Sequence, residues 1–169
     1  MTDSRYGRGA AFGAALLAVL TPGFAASDSL KLAENRVAAA PVAAERLDIV
    51  SATGTHTFDV EIATTAQQQA LGLMFRTSLA ADKGMLFHHG KEREITMWMK
   101  NTYIPLDMVF IRADGTVHRI AARTEPFSER MIPSEGAVSA VLEIAGGRAE
   151  QLGLKPGDKV RHRLFGPTP

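Results

Sequence analysis

Asp107 is the residue whose surroundings demand most of its chemistry. It stands in Ile104-Pro105-Leu106-Asp107-Met108-Val109-Phe110-Ile111, a segment apolar at every other position. Residues two apart in a strand share a face, so Asp107 sides with Val109 and Ile111. A carboxyl group among aliphatic side chains must be paired, hydrogen-bonded or protonated, because burying it bare costs several kcal/mol. Glu143 repeats the pattern within Val141-Leu142-Glu143-Ile144 and shares its face with Val141 and Ser139. Two such carboxyls with separated pKa values could act as general acid and base, as in glycoside hydrolysis. They equally suit ion pairs with Arg76, Lys100 or Arg123, or acceptance of backbone amides at a strand end. Arg76 follows a short helical segment and offers a planar fork to Asp107, Glu143 or a bound anion. Asn101 and Thr102, where the chain turns toward Pro105, can line a polar pocket or cap the turn.

A softer constellation is built of sulfur and imidazole. Met97 and Met99 alternate with Trp98, Met74 and Met85 precede them, and His88-His89 follow Met85 directly. Thioethers and imidazoles suit Cu(I), although methionine in a sheet is also an ordinary core filler. The chain has no cysteine, which excludes thiol nucleophiles, Fe–S clusters and thiolate zinc sites. Gly84 and Gly146-Gly147 do not form a phosphate cradle, since no Lys-Ser or Lys-Thr helix start follows them. No serine lies in a nucleophile-elbow context. No resident cofactor or metal is therefore expected, and the residues supply no complete catalytic set.

The elements that must position these side chains are mostly strands. Leu47–Ala52 and His56–Ile62 alternate and join at Thr53-Gly54-Thr55, a hairpin signal. Thr65 and Gln68 have capping-box spacing, which predicts a short helix ending near Leu71-Gly72. Short strands are expected at Met85–Phe87, Glu94–Lys100, Ile104–Ile111, Thr116–Ala122, Val138–Ile144 and Lys159–Leu164, with a helical turn or two over Gly147–Leu152. Seven or eight short strands with two short helices predict a mainly β, β-rich α+β fold, a compact antiparallel barrel or sandwich.

The chain opens with a different composition. Arg5 and Arg8 precede an apolar run from Ala10 to Leu20, and Gly23 and Ala25 fit the small-residue positions of a signal-peptidase site. Residues 1–25 are read as a signal peptide, the alanine-rich residues 26–45 as a flexible linker, and 46–165 as one β-rich domain. The apolar run is too short to span a bilayer, which takes roughly 20 residues, so no stable membrane span is expected after cleavage. The expected location is periplasmic or secreted. The full chain carries 19 basic and 18 acidic residues; losing Arg5, Arg8 and Asp3 leaves 17 of each. That balance lacks the basic surplus of a nucleic-acid binder.

Several segments together are distinctive: Gly72-Leu73-Met74-Phe75-Arg76, Lys83-Gly84-Met85-Leu86-Phe87, Trp98-Met99-Lys100-Asn101-Thr102-Tyr103-Ile104-Pro105-Leu106-Asp107, Val141-Leu142-Glu143-Ile144 and Gly157-Asp158-Lys159-Val160. In these the sequence resembles the family called domain of unknown function 192, small and often exported proteins, over roughly residues 48–162. Thr96-Met97 stands where an aromatic beside the tryptophan would be expected of that family. The resemblance implies a compact β-rich fold and no particular activity. The resulting expectation is an exported envelope domain that binds a small polar or saccharide ligand around Arg76, Asn101, Thr102, Asp107 and Glu143. A carboxylate-dependent hydrolase of an envelope polymer and a periplasmic Cu(I) binder using Met and His are the alternatives.

Overall fold

The computed structural model describes residues 44–166; the expected signal peptide and nearly all of the linker lie outside that range. Strands β1 (Glu45–Ser51) and β2 (Gly54–Ala63) form the predicted hairpin, and helix α1 (Ala66–Leu71) follows. Then come β3 (Lys83–Met97), β4 (Leu106–Ile111), β5 (Val117–Thr124), β6 (Ile132–Ala145), helix α2 (Arg148–Gln151) and β7 (Lys159–Arg161). All seven strands join one sheet in the order β5-β4-β6-β3-β2-β1-β7. The sheet curls until its edges meet: the Val117 amide donates to the Asp158 carbonyl at 2.9 Å and the Val160 amide to the Gly115 carbonyl at 2.8 Å. The fold is thus the expected β-rich α+β class in barrel-like form. No helix among the described residues is long and apolar enough to cross a membrane.

Three expectations need correction. The sheet is not wholly antiparallel, because β2 and β3 pair in parallel from Asp59 opposite Lys83 to Ala63 opposite Phe87. A parallel pair needs a crossover that returns the chain to its starting end, and α1 with the loop after it supplies one. The expected strands around Met85 and Ile95 are one strand of 15 residues, bent where its pairing with β6 shifts between His88 and Arg93 and again before Thr96. That strand stops at Met97, so Met97, Trp98 and Met99 do not share a strand. Likewise β6 begins at Ile132 rather than Val138, because β3 offers a long partner to a segment whose own sequence shows no alternation.

The sheet is buried on both faces, which is why Leu106–Ile111 is apolar at every position but Asp107. The inner face carries Leu47, Phe58, Val60, Leu86, Val109 and Leu142. The outer face carries Met85, Phe87, Met108, Phe110 and Val141 and is covered by Leu73 after α1 and by Met99 between β3 and β4. Backbone hydrogen bonds tie these covering segments together: Phe75 N–H to the Asn101 carbonyl (2.9 Å), Met99 N–H to Ser128 (2.9 Å) and Phe127 N–H to Thr102 (3.1 Å).

Candidate functional site

The β4–β6 register decides where the two buried acids point. Asp107 lies opposite Ile144, and Glu143 lies opposite Met108, so the acids face opposite sides of the sheet. Asp107, fully buried, turns to the inner face beside Ile144. Its Oδ1 accepts from the backbone N–H of Arg123 (2.7 Å) and Gly147 (2.8 Å), and its Oδ2 from that of Ala149 (2.7 Å). Gly147 takes φ 86 as it leads into α2, and a Cβ there would stand 2.8 Å from the Arg123 guanidinium. Asp107 therefore ties the start of α2 to the end of β5.

Glu143 turns to the outer face, between Met85 of β3 and Met108 of β4. It is only 4% exposed, and among the described residues no side chain or amide gives its carboxyl a hydrogen bond or a counter-charge. Burial alone pushes its pKa up to about 8. A carboxyl so placed holds its proton at neutral pH and presents a hydroxyl donor beside an acceptor.

Glu143 and Thr102 line a small recess of about 30 Å³ beneath Trp98, walled by Leu73, Met74 and Phe87. A water-sized group needs roughly 10–15 Å³ by this measure, so about two fit. Thr102 is buried, and its Oγ1 donates to the Lys100 carbonyl at 3.3 Å, which leaves its lone pairs free. Helix α1 forms one wall. Its Thr65–Gln68 capping box is formed as predicted, and Gln69 Nε2 donates to the carbonyls of Ala63 (3.2 Å) and His88 (3.0 Å), docking the helix on the sheet.

A groove of about 340 Å³ adjoins the recess and shares Gln69, Phe87, Met97 and Trp98 with it. Trp98 stands 44% exposed between the two. His89 and Arg93 line the groove; Arg93 Nη2 lies 3.1 Å from His89 Nδ1. Arginine can only donate, so Nδ1 accepts and the ring proton sits on Nε2, which is buried without a partner. Burial pulls the His89 pKa down, so the ring is neutral at pH 7.

Of the five residues expected to form a pocket, the structure brings Glu143 and Thr102 together. Asn101 is exposed, left-handed at φ 55, and its Nδ2 lies 4.0 Å from the Sδ of Met74 at the recess wall. Arg76 does not join Asp107 or Glu143. Its guanidinium grips Glu61 at 2.5 and 2.7 Å, a partner that sequence reading missed although strand alternation puts Glu61 opposite the inward Val60 and Ile62. Lys100 pairs with Glu129 and the Arg123 guanidinium with Glu150, so neither meets a buried acid. The soft constellation is divided: His89 and Met97 share the groove, while His88 turns its ring toward Phe165 and Met99 accepts from Thr124 Oγ1 in the core. No three His, Asp or Glu side chains among the described residues converge to hold a metal ion.

Beside the recess rises a second feature that no sequence signal announced. Phe75 and Phe127 both adopt left-handed backbone, φ 64 and 61, and both are exposed. Tyr103 stands between them, ring centroids 6.2 and 5.1 Å away. Left-handed conformation is an outlier for bulky residues and persists where surrounding bonds impose it, here the amide bonds of Phe75 and Phe127. A larger depression of about 420 Å³ beside β5 is less suited to a ligand, since Arg119 there is occupied by the Pro133 carbonyl and Glu135. Ser51 Oγ lies 3.1 Å from His56 Nε2 at the β1–β2 turn, but among the described residues no acid bonds the ring's other nitrogen, so they form no triad.

With this geometry in place, comparison with known proteins adds kinship without chemistry. Residues 49–162 match the family DUF192, described as "Uncharacterized ACR". A candidate transcription regulator from Sinorhizobium meliloti 1021 is similar in structure at 45% identity and TM-score 0.69, over 71% of this chain and 94% of that one. A protein of unknown function from Novosphingobium aromaticivorans is similar at 44% identity and TM-score 0.69, over 70% of this chain and 85% of that one. No curated protein matches.

Proposed function

This chain belongs to the DUF192 family, and from that premise we propose that its domain is a binding module that receives a small polar or saccharide ligand in the recess and groove under Trp98. One observation carries this reading: Glu143, a residue only 4% exposed, lines an open recess, and among the described residues no side chain or amide bonds its carboxyl. A buried polar group left unpaired costs stability, and native proteins retain such groups where a ligand completes the bonds. The surroundings suit an uncharged ligand, with apolar walls and a few convergent polar groups. Export by residues 1–25 would place the module in the cell envelope, where saccharides are abundant partners.

A nucleic-acid role, which the name of the Sinorhizobium relative suggests for that protein, would need a basic surface. The near balance of 19 basic and 18 acidic residues supplies no general one. The hydrolase alternative would need its two carboxyls on one side of a substrate cleft, whereas Asp107 and Glu143 face opposite ways.

Trp98 is the sole tryptophan of the chain and stands at the site, so its fluorescence reports occupancy. Titration of the full chain with a panel of neutral mono- and disaccharides and small amides is expected to give a saturable change. Glu143→Leu and Thr102→Val should each reduce the response at least tenfold. If no panel member changes Trp98, or if both variants respond as the parent does, the recess is not a ligand site.

A further inference from the structure

We propose that the recess takes the acetamido group of an N-acetylated sugar, the Glu143 carboxyl donating to its carbonyl oxygen and Thr102 Oγ1 accepting from its N–H. This inference rests on the reading of the recess as a ligand site and specifies what enters it.

The argument starts from size. The recess admits about two water-sized groups, too few for a sugar ring but enough for the methyl and the carbonyl oxygen of an acetamido group, whose nitrogen would then lie at its mouth. Its walls of Leu73, Met74, Phe87 and Met97 suit the methyl. The polar inventory matches the rest of the group. Glu143 offers a hydroxyl donor, because burial lifts its pKa to about 8, and Thr102 Oγ1 retains acceptor capacity after giving its proton to the Lys100 carbonyl. An amide presents one acceptor and one donor, so both are satisfied by these two side chains. The adjoining groove of about 340 Å³ has room for the ring, and Trp98, 44% exposed with the Lys100 ammonium 5.6 Å from its ring centre, lines it.

The charges around Glu143 disfavour an ionic guest. Across β3, Glu61 is spent on Arg76; from the segment after β3, Lys100 pairs with Glu129. From α1 the nearest polar group is the neutral Gln69. At the groove, Arg93 bonds His89, and Glu94 lies beside it at the open end. On β4 the facing residue is Met108, and Asp107 points to the other side of the sheet. An ammonium entering the recess would meet a neutral acid. Among the residues that line the recess itself no cation is present to meet a carboxylate, while at the groove Arg93 stays charged beside the neutral His89.

The test titrates the full-length protein with N-acetylglucosamine, glucosamine and glucose, following Trp98 fluorescence and its indole N–H resonance. N-acetylglucosamine should bind at least tenfold more tightly than the other two. Glu143→Leu should remove that preference. Glu143→Gln, which keeps an N–H donor, should retain binding within about threefold. Parent binding should weaken between pH 7 and 9 as Glu143 ionises, and the glutamine variant should not follow. Equal affinity for all three sugars would overturn the acetamido assignment while leaving a saccharide site standing. Silence toward these three, with a response to other members of the broader panel, would overturn it too. Silence toward the whole panel would remove the ligand site itself.

Discussion

Asp107 and Glu143 lie in neighbouring strands, one register step apart, and each is at least 96% buried. Asp107 accepts three backbone N–H bonds on the inner face of the sheet, whereas Glu143 on the outer face receives none. The difference lies in what surrounds each face. The inner face is closed by the curl of the sheet and by α2, so an acid there is tolerated only as an acceptor for backbone that would otherwise be unsatisfied. The outer face is covered by α1 and by loops, which leave a gap over Glu143. Equal burial therefore accompanies opposite roles: a structural tie on one side and an open valence on the other. Hydrogen-bond inventory, more than exposure, separates them.

The sharpest way to break this contrast is to remove the tie. Asp107→Ala strands the N–H groups of Arg123, Gly147 and Ala149 in the interior. Each stranded group costs about 1–3 kcal/mol, so a loss of about 5 kcal/mol is expected in urea unfolding, allowing for incomplete additivity. α2 should lose amide protection first. A cost under about 1 kcal/mol would mean that the three bonds are not what holds α2 to β5.

Glu143 should behave in the opposite sense, and its signature is pH. Its pKa stands at about 8 in the folded chain against 4.5 as the ordinary value. The folded state thus binds this proton more tightly than the unfolded state. The corresponding stability is complete below about pH 4.5 and declines as pH rises, by about 1.4 kcal/mol per unit, until it is spent above about pH 8. Other acids run the other way: Asp114, held down to about 2 by hydrogen bonds from the Thr116 hydroxyl and amide, favours folding as pH rises from acid. The informative quantity is the difference between parent and Glu143→Gln. Between pH 5 and 8 that gap should move by about 3–4 kcal/mol in favour of the variant. A gap that stays flat would place the carboxyl in contact with water and erase the contrast with Asp107.

Much of this was legible in the sequence, and the failures share a cause. The hairpin, the capping box, the central strand at Asp107 and the faces of both acids follow from local periodicity and side-chain chemistry, and each is where alternation puts it. The lengths of β3 and β6 were not legible. Lys91-Glu92 and Ser134-Glu135 carry no alternation and fall where the β3–β6 register shifts, so the strands run through them only because the residues on either side are paired. The parallel β2–β3 pair follows from which strand lies beside which, and local pattern holds no record of that. At the site, alternation found Glu143 and the turn found Thr102. The grouping with Asp107 and Arg76 failed because nearness in chain order does not give the sheet register or the partner Glu61. The left-handed Phe75 and Phe127 escaped notice because their conformation is imposed by bonds from distant loops rather than by their own preference.

The smallest expected effect tests the outer face from its weakest wall. α1 has no buried residue of its own, so its cap and the Gln69 contacts carry much of its order. In the capping box the Gln68 amide donates to Thr65 Oγ1 at 3.2 Å, and Gln68 Oε1 accepts from the Thr65 amide at 3.1 Å. Thr65→Ala removes the first of these and should cost about 1 kcal/mol. The inner face should not register the change, so amides of β4 and β6 keep their protection while those of α1 lose it. Ligand response at Trp98 should fall about fivefold, because Gln69 and the residues after it form a wall of the recess. Thr65→Ser restores the hydroxyl and should restore both readings. If the alanine variant instead loosened the whole sheet evenly, the two faces would be one cooperative unit, and the outer recess could not be tuned apart from the core that carries it.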